Sequence, residues 1–374
     1  MEVGTIPRRC TVWREFCLTD CRRSVVTMKM TFLVPADCSA GGVRVTMQMG
    51  NCLLARGHSV RIAYRVSPLL SRERLISFAR STKYLLSGIS ETRWLACFKG
   101  HKQPYTRLNA IAFEKKEIVI STGVHTLAEL LALNRDVLKV RYCHGLLEHE
   151  PEERQRLWLW RGPMDTIAVS PVLVAPLERL CERPILGVVP NGICFAEYYV
   201  ENRPRDGIGF VFSGHPIKGP EVALALVPAL RARLNENPCY VFGSYPRPKG
   251  LGPSSYTRYP SVAQARELYN RCKVWLITSR DEGFCLPILE AMACGCTVVS
   301  SRHSNAQELI QDGVNGFTVP YGDVNAYMEV TGRLLHDEAL RARIVEEGFK
   351  TVSRFTWDNA ADRMEEALRK LKAN

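Results

Sequence analysis

From residue 30 to residue 301 the chain alternates short, nearly unbroken apolar runs with longer stretches of helical periodicity, and it does so twice. Apolar runs of this length and β-branched content read as strands buried on both faces, and helical segments between them read as crossovers. That order is the signature of parallel sheets built from βαβ units. The first set is MTFLVP (30–35), HSVRIAYR (58–65), EIVIST (117–122), LKVRYCHG (138–145) and TIAVS (166–170). The second is GFVFSG (209–214), CYVFGS (239–244), KVWLITS (273–279) and CTVVSS (296–301). The expectation is an α/β chain of two doubly wound, Rossmann-like parallel-sheet domains. The join is expected within ILGVVPNGICFAEYYVENRPRDG (185–207), where a short strand, a Pro-Asn-Gly turn and a polar stretch suit a hinge. This predicts a first domain over 28–190 and a second over 191–354.

Composition narrows the function classes. With 374 residues, 46% hydrophobic and 24% charged, the chain can bury two ordinary cores, and no run approaches the roughly 18 apolar residues of a membrane span. Residues 1–27 are basic but lack the apolar centre of a secretory signal, so they read as a leader outside the fold. The fourteen cysteines form no CxxC pair and lie singly in apolar segments, which argues against structural zinc and disulfides and for a reducing, cytoplasmic setting. The net charge of +12 is concentrated: Arg61 to Lys116 holds twelve Lys or Arg against three acids. Such a face serves nucleic acid, an anionic bilayer or a phosphorylated substrate equally well, or solubility alone.

Ligands of open parallel sheets bind beyond the carboxyl ends of the strands, so two facing sheets put the site in the cleft between them. The loop leaving KVWLITS there reads SRDEGFCLPILEAMACG (279–295). Pro287 suits the first turn of a helix, because its missing N–H is one of the unpaired donors of that turn. Glu282 then lies in the loop and Glu290 about one turn into the helix, on its cleft-facing end. The backbone amides of Gly283, Phe284, Cys285 and Leu286, with the helix dipole, form an anion site. One carboxylate suits sugar hydroxyls, the amides a diphosphate, and the other carboxylate a ribose. Glu282 alone would be an ordinary solvated charge; its surroundings give it meaning. Asp281 and Glu282 lack a third ligand, so no metal is expected.

These residues resemble the E-x7-E signature of retaining, nucleotide-sugar-dependent glycosyltransferases of the GT-B fold, in particular the GT4 family (glycosyl transferases group 1). Other segments match in order. Gly41-Gly42 resembles the family's N-terminal glycine loop near the donor diphosphate. CHG (143–145) resembles the position of a histidine near the transferred sugar, here His144. VVPNGICFAEYY resembles the PNGID-type passage into the second domain, with Cys194 in place of Asp. SGHPIKGPEVAL resembles the G-R-x(n)-K-G segment, but keeps only Lys218 of its basic pair and has His215 where an arginine is usual. FTWDNAADRMEEAL resembles the closing helix, so 355–374 is expected to return to the first domain. The resemblance implies metal-independent transfer, with no cofactor beyond the donor. Lys218, the amides and the glycine loop would stabilise charge growing on the departing diphosphate. Glu282 would orient the sugar, Glu290 would take the ribose and His144 would contact the sugar.

A nicotinamide dehydrogenase is disfavoured, because SAGGVRVTM does not supply G-x-G-x-x-G. The basic region lacks the interleaved aromatics of a nucleic-acid reading module, so no nucleic-acid partner is expected. The remaining alternatives share the fold: a nucleotide-sugar epimerase, a sugar phosphorylase, or a nucleotide-sugar-binding subunit without catalysis. The acceptor class stays open among a glycan, a lipid-linked molecule and a small molecule. SRERLISFARSTKYLLSG (71–88) is basic and roughly amphipathic, which suits either an ordinary surface helix or peripheral contact with an anionic membrane face. Recognition of the base is expected from backbone around Tyr259 to Val262.

Overall fold

The computed structural model describes residues 27–38, 40–66, 94–146, 157–233, 237–251 and 254–372. The basic segment 71–88 and nearly all of the leader lie outside the described residues. The first sheet contains β1 (Lys29–Val34), β2 (Ser59–Arg65), β3 (His101–Tyr105), β4 (Ile118–Ser121), β5 (Leu138–Cys143), β6 (Asp165–Ala168) and β7 (Ile185–Val188). The helices α1 (Gly41–Ala55), α2 (Val124–Ala132) and α3 (Val174–Leu180) connect them. The second sheet contains β8 (Gly207–Phe212), β9 (Cys239–Gly243), β10 (Ser255–Arg258), β11 (Cys272–Ile277), β12 (Thr297–Ser301) and β13 (Phe317–Val319). Around it lie α4 (Pro220–Arg233), α5 (Val262–Arg271), α6 (Leu286–Ala293), α7 (Ser304–Leu309), α8 (Val324–His336) and α9 (Glu338–Val352).

Both sheets are parallel throughout, in the orders β3-β2-β1-β4-β5-β6-β7 and β10-β9-β8-β11-β12-β13. The expected pair of doubly wound sheets is therefore what forms. Strand order reverses between β1 and β4 in one sheet and between β8 and β11 in the other. The crevice at such a reversal is where open α/β sheets take ligands. The loops that leave β1, β8 and β11 there carry Gly41-Gly42, Lys218 and Glu282.

The central strands are apolar on both faces because helices cover both faces of each sheet. Phe32, Leu33 and Val34 of β1 are fully buried, as are Val274 and Trp275 of β11. Beneath the second-lobe site, Trp275 packs its ring 4.2 Å from Tyr269 and 5.6 Å from Phe242. This aromatic wedge fixes α5 against the sheet and aims the Tyr269 hydroxyl upward, at α6.

The final helix, α10 (Trp357–Lys372), packs on α1 and β7 of the first sheet. The chain thus passes between lobes twice, at 189–206 and at 353–356, and the passages touch. Ile193 donates its amide to the Phe355 carbonyl at 2.8 Å. A Cβ on Gly192 would stand 2.5 Å from the Trp357 amide nitrogen, so glycine is required by close approach of two backbones. Arg56, which caps α1, secures α10 through Asp362 at 2.5 Å. We expect Gly192→Ala to destabilise the protein by about 1–3 kcal/mol, the usual cost of overpacking. The check is the urea midpoint at unchanged slope, and an unaltered midpoint would show that the crossing tolerates a side chain.

Candidate functional site

The site grows from the loop between β11 and α6. Cys285 caps α6 in the left-handed region at φ 63°, which is uncommon for a residue with a side chain. Pro287 completes the first turn of the helix. The carbonyl of Phe284 accepts from the Asn305 side chain of α7, which pins the loop from behind. Leu286, the first residue of α6, is half-buried, while Phe284 is buried and packs its ring 5.8 Å from Phe355.

Glu282 reaches from this loop to Lys218, whose Nζ lies 2.5 Å from Oε1, and the same oxygen accepts from Ser279 Oγ at 2.7 Å. Burial alone would raise the Glu282 carboxyl. Lys218 outweighs it, with Ser279 and nearby His303 assisting, and holds the group below the usual carboxylate range. Lys218 is the mirror case: burial pushes its ammonium down, and Glu282 more than reverses this. The pair is ionised at neutral pH.

Lys218 is placed by its own loop. Gly219 follows in the left-handed region at φ 61°, and a Cβ there would lie 2.1 Å from the Thr278 carbonyl. The loop is therefore laid flat on the end of β11, where Thr278 Oγ1 donates to the Lys218 carbonyl at 3.0 Å and the Arg280 amide to that of Ile217 at 2.8 Å. His215 opens the same turn, its amide donating to Ser213 Oγ at 3.2 Å.

The first lobe meets this loop directly. A Cβ on Gly283 would fall 1.7 Å from the His144 carbonyl oxygen, and the Gly283 carbonyl accepts from Ser170 Oγ at 2.7 Å. His144 therefore does stand at the junction, beside the loop that carries Glu282. Its Nε2 is sealed from solvent without a hydrogen-bond partner, and burial lowers its pKa from 6.5 to about 4. Next to it, Thr122, Gly123, Tyr142, His144, Gly145 and Trp160 line a cavity of about 170 Å³ at the carboxyl ends of β4 and β5.

Gly41 and Gly42 open α1 without a side-chain cap. A Cβ on either would meet no protein atom within 4 Å, so nothing inside the protein demands glycine there.

Glu290 lies one turn into α6 and is 6% exposed. Its Oε2 accepts from the Tyr269 hydroxyl at 2.8 Å, and its Oε1 from Arg44 Nη1 at 2.6 Å. Sequence reasoning missed both partners. It also missed Ser279, Ser170 and His303, the last 3% exposed and pushed below the ordinary imidazole value by burial despite Glu282 nearby. Ser279 lay within the loop already singled out, and an arginine in the first turn of α1, just after two glycines, was the sequence signal for Arg44.

Among the described residues, no group of three or more His, Cys, Asp or Glu side chains could hold a metal ion. None of their helices is long and apolar enough to cross a membrane.

Comparison with known proteins agrees with this fold. Residues 205–337 match the family model described as glycosyl transferases group 1. The chain is 30% identical over 181 residues to a D-inositol 3-phosphate glycosyltransferase of Corynebacterium urealyticum, a match covering 44% of this chain and 43% of that protein. It is 24% identical to the lipopolysaccharide 1,2-N-acetylglucosaminetransferase of Salmonella typhimurium, over 68% of this chain and 73% of that one. The chain spans under half the length of the inositol-phosphate enzymes it aligns with first. Among solved structures, Anabaena HepE in complex with UDP and glucose superimposes with a TM-score of 0.71 at 17% identity, over 92% of this chain and all of that one.

Because His144 loses its proton on burial, the unfolded chain binds more protons than the folded one between about pH 4 and 6.5, and stability rises with pH across that window. Imidazole NMR should show His144 neutral from pH 8 down to about 5. Titration near 6.5 would mean that the junction is open to water.

Proposed function

We propose that this chain, a member of the GT-B glycosyltransferases, moves a sugar from a nucleotide-sugar donor to an acceptor hydroxyl with retention at the anomeric carbon and without a metal ion. The observation that carries the reading is the ionised Lys218–Glu282 pair at the strand-order reversal of the second sheet, with the first lobe's His144 carbonyl against the intervening glycine.

The donor diphosphate lies across the amides that follow Glu282, between the amino end of α6 and the uncapped amino end of α1. Both dipoles favour an anion there, and the bare Gly41-Gly42 backbone admits a phosphate closely. Lys218 supplies the mobile positive charge as the diphosphate leaves. Removing a donor of this kind costs roughly 10²–10³ in rate. Glu282, held as a carboxylate, accepts hydroxyls of the donor sugar and fixes its orientation while still neutralised by Lys218. Glu290 receives the ribose. His144, uncharged, contacts the sugar through its carbonyl or Nε2 without adding charge beside the reacting carbon. The base rests against the backbone from Tyr259 to Val262, where Tyr259 takes φ 50° and its amide donates to the Gly243 carbonyl at 2.9 Å. HepE, whose solved complexes contain UDP and UDP-glucose, makes UDP-sugars the first donors to try.

The acceptor, a glycan, a lipid-linked molecule or a small molecule, enters from the first lobe past the cavity beside His144. A cytoplasmic setting with peripheral membrane contact through 71–88 is part of this reading.

Glu282→Ala should lower transfer by at least about 10²-fold while the nucleoside diphosphate still binds, since the carboxylate orients the sugar and not the nucleotide. Isothermal titration and a coupled diphosphate-release assay separate the two effects, and undiminished turnover would remove Glu282 from the mechanism. Transfer should also survive excess EDTA. Loss of activity that Mg²⁺ restores would contradict neutralisation by Lys218 and amides.

A further inference from the structure

Arg44 stands in the first turn of α1, where the backbone dipole disfavours a cation. Its side chain is nevertheless only 13% exposed. The guanidinium lies 5.0 Å from the Trp94 ring and 5.1 Å from that of Tyr198. It donates to Glu290 at 2.6 Å and to Glu197 at 3.1 Å, and Gln48, one turn further along α1, donates to Glu197 at 3.2 Å.

A cation placed against a dipole and taken out of water must be held by anions. Here one anion is the carboxylate read above as the ribose contact, and the inference rests on that reading. Glu290 is buried and has a donor on each oxygen, so a ribose diol cannot reach it while the guanidinium stays. Glu197 differs, being 30% exposed, and it anchors Arg44 independently.

We propose that Arg44 is a displaceable placeholder at the ribose subsite. It occupies Glu290 from the first lobe when no nucleotide is present, and the diol takes its place on binding. Arg44 then remains on Glu197 alone. Arg44 is thus a positioning residue that couples contact between the lobes to nucleotide occupancy, and it sets a penalty on nucleotide affinity.

Trp94 reports the exchange, because the guanidinium leaves its ring. The full-length protein is titrated with whichever of UDP, GDP and ADP it binds most tightly, with the 2′,3′-dideoxy analogue of that nucleotide, and with inorganic pyrophosphate. The nucleotide should shift tryptophan emission, the other two should not, and Trp94→Phe should abolish the shift. Arg44→Met, which keeps the bulk between Trp94 and Tyr198, should bind the nucleotide about tenfold more tightly. Saturating nucleotide with unchanged Trp94 emission, or weaker binding by Arg44→Met, overturns the placeholder. If Arg44→Met does not fold, the wild-type titration decides alone. Glu290→Gln separates the two readings: undiminished nucleotide affinity overturns the ribose contact and the placeholder with it, whereas weakened affinity with a silent Trp94 overturns the placeholder only.

Discussion

An ionised carboxylate taken out of water costs several kcal/mol unless a cation and further donors meet it. This chain buries two carboxylates within a single loop and the helix that follows it. Glu282 is met by Lys218 from the neighbouring loop of its own lobe, and Glu290 by Arg44 from the other lobe. Removing one partner of a buried pair commonly costs about 3–5 kcal/mol, so the Arg44–Glu290 contact holds the two lobes together, whereas Lys218 is 39% exposed and solvent screens its pair with Glu282. The same arithmetic makes the junction responsive, because a ligand that brings its own anion and its own hydroxyls can replace what the side chains supply to one another.

Close backbone contacts set the scale of the site. Gly283 lets the His144 carbonyl reach the loop, Gly219 lets the Lys218 loop lie on the end of β11, and Gly192 lets the two interlobe passages cross. Cys285 achieves a related turn without being glycine, at φ 63°. Backbone held in a sparsely populated region costs of order 1–3 kcal/mol and persists where the surroundings over-determine it. Here the surroundings are the Asn305 contact to Phe284 and the buried first turn of α6.

Much of this was legible in the residues, and what was not has physical causes. The central strands declare themselves because a parallel sheet covered on both sides needs unbroken apolar runs. The edges do not: β3 reads HKQPY, with a proline and little apolar content, and β13 is three residues long. Edge strands need only one neighbour and carry no matching pattern. The E-x7-E loop was readable because its two glutamates, Gly283 and Pro287 fall within one short stretch, and Lys218, 64 positions away from Glu282, was readable only from its own Lys-Gly segment. Arg44 was not, since 246 positions separate it from Glu290 and only the folded topology brings them together. Its paired state also alters the expected picture of Glu290, which the spacing suggested would face the cleft and which the fold buries against Tyr269 and Arg44.

Function at this junction turns on where a nucleotide settles, and amide hydrogen exchange with and without saturating nucleoside diphosphate measures that directly. Slowed exchange is expected at Gly283 to Leu286 and in the first turn of α1, the two helix ends that the Arg44–Glu290 contact links across the junction. Protection confined to other surfaces, with both of these ends exchanging as before, would contradict it.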